Sequence, residues 1–210
     1  MTMARVCAVA LLSLLLGLPM AQAETQVPMP VGSAKFIQAD PAARIYFPRL
    51  DTERGRNRLA RHVARLPEDS RGWSAQAYLA AIEGQPERVE YGLSQARHTA
   101  GDSVLRQREA LWSEGWVRLQ LDQPSTAAAA WLQAMQLHRG RPYWVPYSLA
   151  VLGELAGERN VAVAWYALAA RSAPSVWGTR YGMQQYTSHW RESEREAIAR
   201  VYDAWSASVR

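Results

Sequence analysis

Among the residues that could do chemistry, the four histidines come first, and their spacing argues against it. His62, His98, His138 and His189 form no H-x-x-x-H or H-x-H pair, so a metal site would have to be assembled across the fold. No G-x-S-x-G nucleophile elbow, phosphate-cradling glycine loop or dinucleotide fingerprint occurs. Neither a metal nor a cofactor is expected. Arg54, Arg56, Arg58, Arg61 and Arg65 crowd one short segment. Guanidinium forks suit carboxylates and phosphates. The segment reads either as a solvated helix face or as a contact for an anionic partner: an acidic protein segment, a phosphorylated headgroup or a cell-wall polymer.

The nine tryptophans divide in the same way. Most are expected in the core, Trp131 and Trp205 among them. Trp144, Trp177 and Trp190 lie near turns beside Tyr143, Tyr147, Tyr181 and Tyr186. Polar-tipped rings at an open surface could hold an extended peptide or a sugar chain, and packing as a terminal cap accounts for the same residues more plainly. One fragment, Tyr181-Gly182-Met183-Gln184-Gln185, resembles the Gly-Leu-Met-Gln motif of lytic transglycosylases over four residues with one substitution. Those enzymes need a Glu-Ser pair upstream as general acid and base, whereas Glu154 and Glu158 here precede Leu155 and Arg159. No catalysed reaction is expected.

The first residues read as a secretory leader. Arg5 carries a positive charge, Val6 to Leu18 is apolar, and Ala21-Gln22-Ala23 offers a cleavage site ahead of Glu24. The apolar run falls short of the ~20 residues of a membrane span, so residues 1–23 are expected to be removed after Ala23, leaving a periplasmic product that does not span the membrane. Cys7, the sole cysteine, would leave with the leader, and a sizeable exported domain without cystines points to a bacterial envelope. Lys and Arg number 24 against 19 Asp and Glu, a formal charge of +5 that drops by one with Arg5. That mild bias, with Lys35 the only lysine, gives no reason to expect nucleic acid.

These groups must be positioned by helices. Residues 24–50 are broken by Pro28, Pro30, Pro41 and Pro48 and lack helical periodicity, but Phe36-Ile37 and Ile45-Tyr46-Phe47 supply anchors, so an extended arm docked on the rest is predicted. A basic helix follows over 51–66, capped by Asp51 or Thr52, with Leu59, Val63 and Leu66 as its apolar stripe. Beyond it, residues 67–210 read as helical hairpins: 71–83 with 87–99, 103–121 with 125–138, 145–156 with 159–171, and 175–190 with 192–208. The breaks at Gly84-Gln85-Pro86, Asp122-Gln123-Pro124 and Gly157-Glu158 are turn signals.

The second helix of each hairpin repeats a pattern of small, large apolar and small residues: Val89–Leu93–Ala96, Ala127–Trp131–Ala134, Ala162–Tyr166–Ala169 and Ala197–Val201–Ala204. Successive copies are offset by 38, 35 and 35 residues. This register resembles the tetratricopeptide repeat, whose unit is about 34 residues. The third unit matches best, with Leu149-Ala150, Gly157, Ala162, Tyr166, Ala169 and Pro174. Gln76, Glu114, Arg118, Gly153 and Pro146 depart from the family pattern.

The resemblance implies an all-α fold: a right-handed superhelical solenoid of about four hairpins with an N-terminal arm and a C-terminal capping helix. It also implies a non-catalytic scaffold binding an extended segment of another envelope protein on a concave face lined by first helices. Candidate contacts there are Arg71, Gln76, Arg108, Glu114, Arg118, Tyr147 and Gln184. A peptidoglycan- or carbohydrate-associated module using exposed Trp and Tyr, and an auxiliary domain of an envelope enzyme, are the alternatives.

Overall fold

The structure is a computed structural model and describes residues 27–44, 47 and 49–209. The expected leader with its cleavage point and Cys7, and the anchors Ile45 and Tyr46, lie outside the described residues. The described chain is all-helical: α1 (Glu53–Arg65), α2 (Ser70–Ile82), α3 (Pro86–Ala100), α4 (Val104–Gln120), α5 (Pro124–His138), α6 (Val145–Leu155), α7 (Arg159–Ser172), α8 (Pro174–Trp177), α9 (Arg180–Tyr186) and α10 (Glu192–Ser208). No helix among the described residues is long and apolar enough to cross a membrane.

Local chemistry sets the helix starts. The Thr52 hydroxyl accepts from the Gly55 amide at 3.1 Å, the Asp69 carboxylate from the Arg71 amide at 3.2 Å, and the Ser103 hydroxyl from the Arg106 amide at 3.4 Å. Pro86 and Pro124 open α3 and α5, where a missing N–H costs nothing.

Three antiparallel pairs, α2 with α3, α4 with α5 and α6 with α7, make up the body. Their turns share one geometry. Gly84, Asp122 and Gly157 take φ of 67°, 55° and 77°. The next amides close back on the preceding helix, Gln85 to Ala80 at 2.9 Å, Gln123 to Arg118 at 2.9 Å and Glu158 to Gly153 at 2.7 Å. This left-handed closure satisfies carbonyls that the helix end would leave open. Within each pair a glycine permits close approach: Gly92 lies on Ala77, Gly115 on Trp131 and Gly153 on Ala162. Every residue of the first three small–large–small triplets is buried, as helix-to-helix packing requires.

The pairs stack unequally. α4 packs on both α2 and α3, whereas α6 packs on α5 and not on α4. Rings fill the space left between α4 and α6: Trp116 meets Trp190 at 5.2 Å and Trp190 meets Tyr147 at 5.8 Å between centroids. Arg191 then reaches back to α4 and caps it, donating to the Gln120 carbonyl at 3.2 Å and to the Leu119 carbonyl.

The single helix expected over 175–190 is two short ones. Thr179 is extended, at φ −132° and ψ 145°, and its hydroxyl caps α9 by accepting from the Gly182 amide at 3.1 Å. The Trp177 carbonyl is taken by the Tyr166 hydroxyl at 2.9 Å, a tertiary bond that replaces helical continuation. α10, expected as the second helix of a fourth pair, packs on both α6 and α7. That is the relation α4 bears to α2 and α3. Ala197 and Val201 of the fourth triplet are nonetheless buried.

Candidate functional site

The candidate contacts on the first helices are largely engaged within the fold. Arg71 donates to the Glu109 carboxylate through Nε at 3.0 Å and Nη2 at 3.3 Å. Glu114 is 1% exposed and receives both arms of the Arg97 guanidinium, with Arg118 Nε 3.5 Å away. Arg118 also binds Glu90 bidentately, which raises the arginine's pKa and holds the Glu90 carboxyl below the usual range. Arg108 Nη2 donates to Asp40 at 2.9 Å. Tyr147 is buried, stacks on Trp177 at 4.9 Å and accepts from the Tyr186 hydroxyl at 3.1 Å. Burial pushes its phenol well above the ordinary value. Gln76 is half-buried and Gln184 exposed, and neither side chain makes a hydrogen bond among the described residues.

Of the seven, Glu114 and Arg118 are joined by an ion pair. The departures from the repeat pattern at Glu114 and Arg118 serve as clamps between helices. Glu109 ties α4 to α2, Glu114 ties α4 to α3, and Glu154 joins α6 to Arg159 of α7 and Arg200 of α10. Glu194 is held by Arg191, and burial raises its pKa against that charge.

The turn-associated tryptophans are core residues. Trp144, Trp177 and Trp190 are 1%, 3% and 7% exposed. Ring packing around Tyr147 closes these faces, the packed arrangement of the two that the sequence allows, and among the turn aromatics Tyr143 and Tyr181 remain at the surface.

Two surfaces stand out instead. The first is the groove that holds the arm. Residues 27–44 run across α7, the α5–α6 turn and α4, with a turn over 40–43. Val27 is buried, the Pro28 carbonyl accepts from the Trp165 indole at 2.7 Å, and the Phe36 ring meets Trp165 edge-on at 5.9 Å. The Phe36 amide donates to the Ser172 hydroxyl at 2.9 Å. Gln38 pairs with the turn as a short parallel bridge, its amide donating to the Arg141 carbonyl at 3.2 Å and its carbonyl accepting from the Tyr143 amide at 3.1 Å. Asp40, 4% exposed, accepts from Arg108, from the Trp144 indole at 3.0 Å and from the Ala42 amide at 3.0 Å. Residues 27–44 thus meet the helices through Phe36 but not through Ile37, which is 67% exposed.

The second surface is a cleft of about 440 Å³ between α1 and α2, lined by Phe47, Arg58, Arg61, His62, Arg65, Leu66, Asp69 and Arg71. Its walls come from the helix crossing. Gly72 lets α2 approach Val63 and His62, while His62 bonds Asp69 at 2.8 Å and meets the Phe47 ring at 4.8 Å. Leu66, assigned to the apolar stripe by sequence, instead stands 44% exposed at the cleft rim.

Asp40, Trp165 and Arg141 were not legible as binding residues. The Asp40-Pro41 turn signal was the one local hint, since Asp side chains fold onto the amide two residues on. No group of His, Cys, Asp and Glu among the described residues could hold a metal ion. Comparison with known proteins finds no family model that matches the chain, no matching relative and no matching solved structure.

Proposed function

We propose that the protein is a non-catalytic interaction scaffold of the cell envelope that holds an extended segment of another protein. Its helix pairs are read as tetratricopeptide-like units, three hairpins closed by α10, stacked with right-handed twist and delivered to the periplasm by residues 1–23. The observation that carries this reading is the arm. Residues 27–44 are held as a groove holds a peptide: backbone bonds at Gln38, a ring seat on Trp165 and a carboxylate clamp at Arg108 and Trp144. Backbone bonds give such a groove affinity for any extended chain, and the flanking seats give selectivity. A site that accepts its own arm has the chemistry to accept a similar segment in trans.

The test is a photo-crosslinking amino acid at position 143, beside the Gln38 bridge, in the full-length protein produced in its own envelope. The expected result is a crosslink to an extended stretch of a second protein, competed by a synthetic peptide of residues 27–44. Crosslinks confined to the protein's own arm would overturn the reading.

A further inference from the structure

We propose that the arginine cleft between α1 and α2 is a second docking site, specific for an acidic segment of the partner protein that also carries an apolar residue. This deepens the scaffold reading and rests on it. The argument begins with what the fold does elsewhere. Arg71, Arg97, Arg108, Arg118, Arg159 and Arg200 each meet a carboxylate of the same chain. Arg58, Arg61 and Arg65 meet none among the described residues, although they lie on one face of one helix at i, i+3 and i+7. Like charges at that spacing disfavour the helix that carries them. Anions bound along the row would remove that repulsion.

Geometry selects the occupant. At about 1.5 Å per residue the row from Arg58 to Arg65 spans about 10 Å. An extended chain with acidic side chains on alternate residues advances about 6.6 Å from one to the next, so two or three carboxylates cover the row. Each guanidinium then offers a fork to a carboxylate. Phe47 and the half-exposed Leu66 add an apolar wall beside the charges, which a free inorganic anion would leave in water. A concave cleft with one apolar wall fits a protein segment better than the flat array of a lipid surface.

The test uses the full-length processed protein and a fluorescent peptide with glutamates at alternate positions and one leucine. The expected result is saturable binding that weakens with salt, is lost when glutamines replace the glutamates, and falls about tenfold or more in the double variant Arg58→Glu/Arg65→Glu. Since both arginines are exposed, that variant should keep its helicity, and Arg58→Lys/Arg65→Lys should retain part of the affinity. Binding unchanged by charge reversal overturns the proposal. So does a protein that ignores the peptide but takes inorganic phosphate or vesicles rich in phosphatidylglycerol. If the peptide fails while the position-143 crosslink persists, the cleft proposal falls alone; loss of both removes the scaffold reading.

Discussion

The indole of Trp131 rests on the α-carbon of Gly115. A Cβ at Gly115 would lie 2.0 Å from Nε1 and 2.3 Å from Cε2, and the same N–H donates to the Trp112 carbonyl at 2.9 Å. This contact sets the distance between α4 and α5. It also starts a run of rings, Trp131 to Trp116 at 5.0 Å, Trp116 to Trp190 at 5.2 Å and Trp190 to Tyr147 at 5.8 Å, that links the second pair of helices to the third.

Gly115→Ala should therefore destabilise the protein even though alanine is the better helix former. The propensity gain is about 1 kcal/mol. Forcing a methyl into the indole displaces Trp131 and the rings behind it, an overpacking cost of about 3 kcal/mol. A net loss of about 2 kcal/mol in urea denaturation is expected, with a changed near-ultraviolet spectrum. A variant as stable as the parent would show that the ring run adjusts freely.

The three hairpin turns make a paired test. Gly84 has open space where a Cβ would go, so Gly84→Ala should cost only the left-handed strain, about 1 kcal/mol. Asp122 already bears that strain at φ 55°, and Asp122→Gly should gain about 0.5 kcal/mol after the added freedom of the unfolded chain is counted. Shifts in denaturation midpoint of opposite sign are the expected outcome. Equal signs would mean that the turns are not equivalent.

Those turns and the triplets were the legible part of the fold, because each is local. A Gly or Asp before Gln or Glu closes a helix within six residues, and small residues at helical spacing face the neighbouring helix whatever lies beyond. The break at Thr179 was not legible, since it depends on the Tyr166 hydroxyl reaching the Trp177 carbonyl. The fate of the candidate site residues was hidden for the same reason. Arg71 finds its carboxylate 38 residues away and Arg108 finds Asp40 68 residues away, distances at which periodicity carries no signal. The arginine row on α1 was visible in the sequence, but the apolar wall of Phe47 and Leu66 beside it required the fold.

Glu154 predicts how stability depends on acid. Burial raises its pKa, but hydrogen bonds and charge from Arg159 and Arg200 outweigh burial and hold the folded value below the ordinary 4.5. The folded state therefore binds this proton less readily than the unfolded state. The contribution is present above about pH 4.5 and is lost as pH falls through the folded value. Glu154→Gln should lower stability by about 2 kcal/mol at neutral pH, a charged hydrogen-bond loss reduced by the exposure of both arginines. The gap from the parent should close as pH drops below 4.5. A gap constant with pH would assign the loss to packing.

Asp40 gives the sharpest test of the arm. Its carboxylate is 4% exposed, and Arg108, whose side chain is 14% exposed, has no other carboxylate among the described residues. Asp40→Asn leaves a buried guanidinium unpaired, which should cost about 3 kcal/mol, whereas Asp40→Asn with Arg108→Met removes both charges and should recover much of it. Limited proteolysis distinguishes local from global loss. If Asp40 chiefly holds the arm, the single variant is cut within residues 27–44 while α2 to α7 stay protected. Cleavage spread evenly along the chain would instead make the arm an inseparable part of the core, and the groove it occupies would then be unable to exchange it for a segment of another protein.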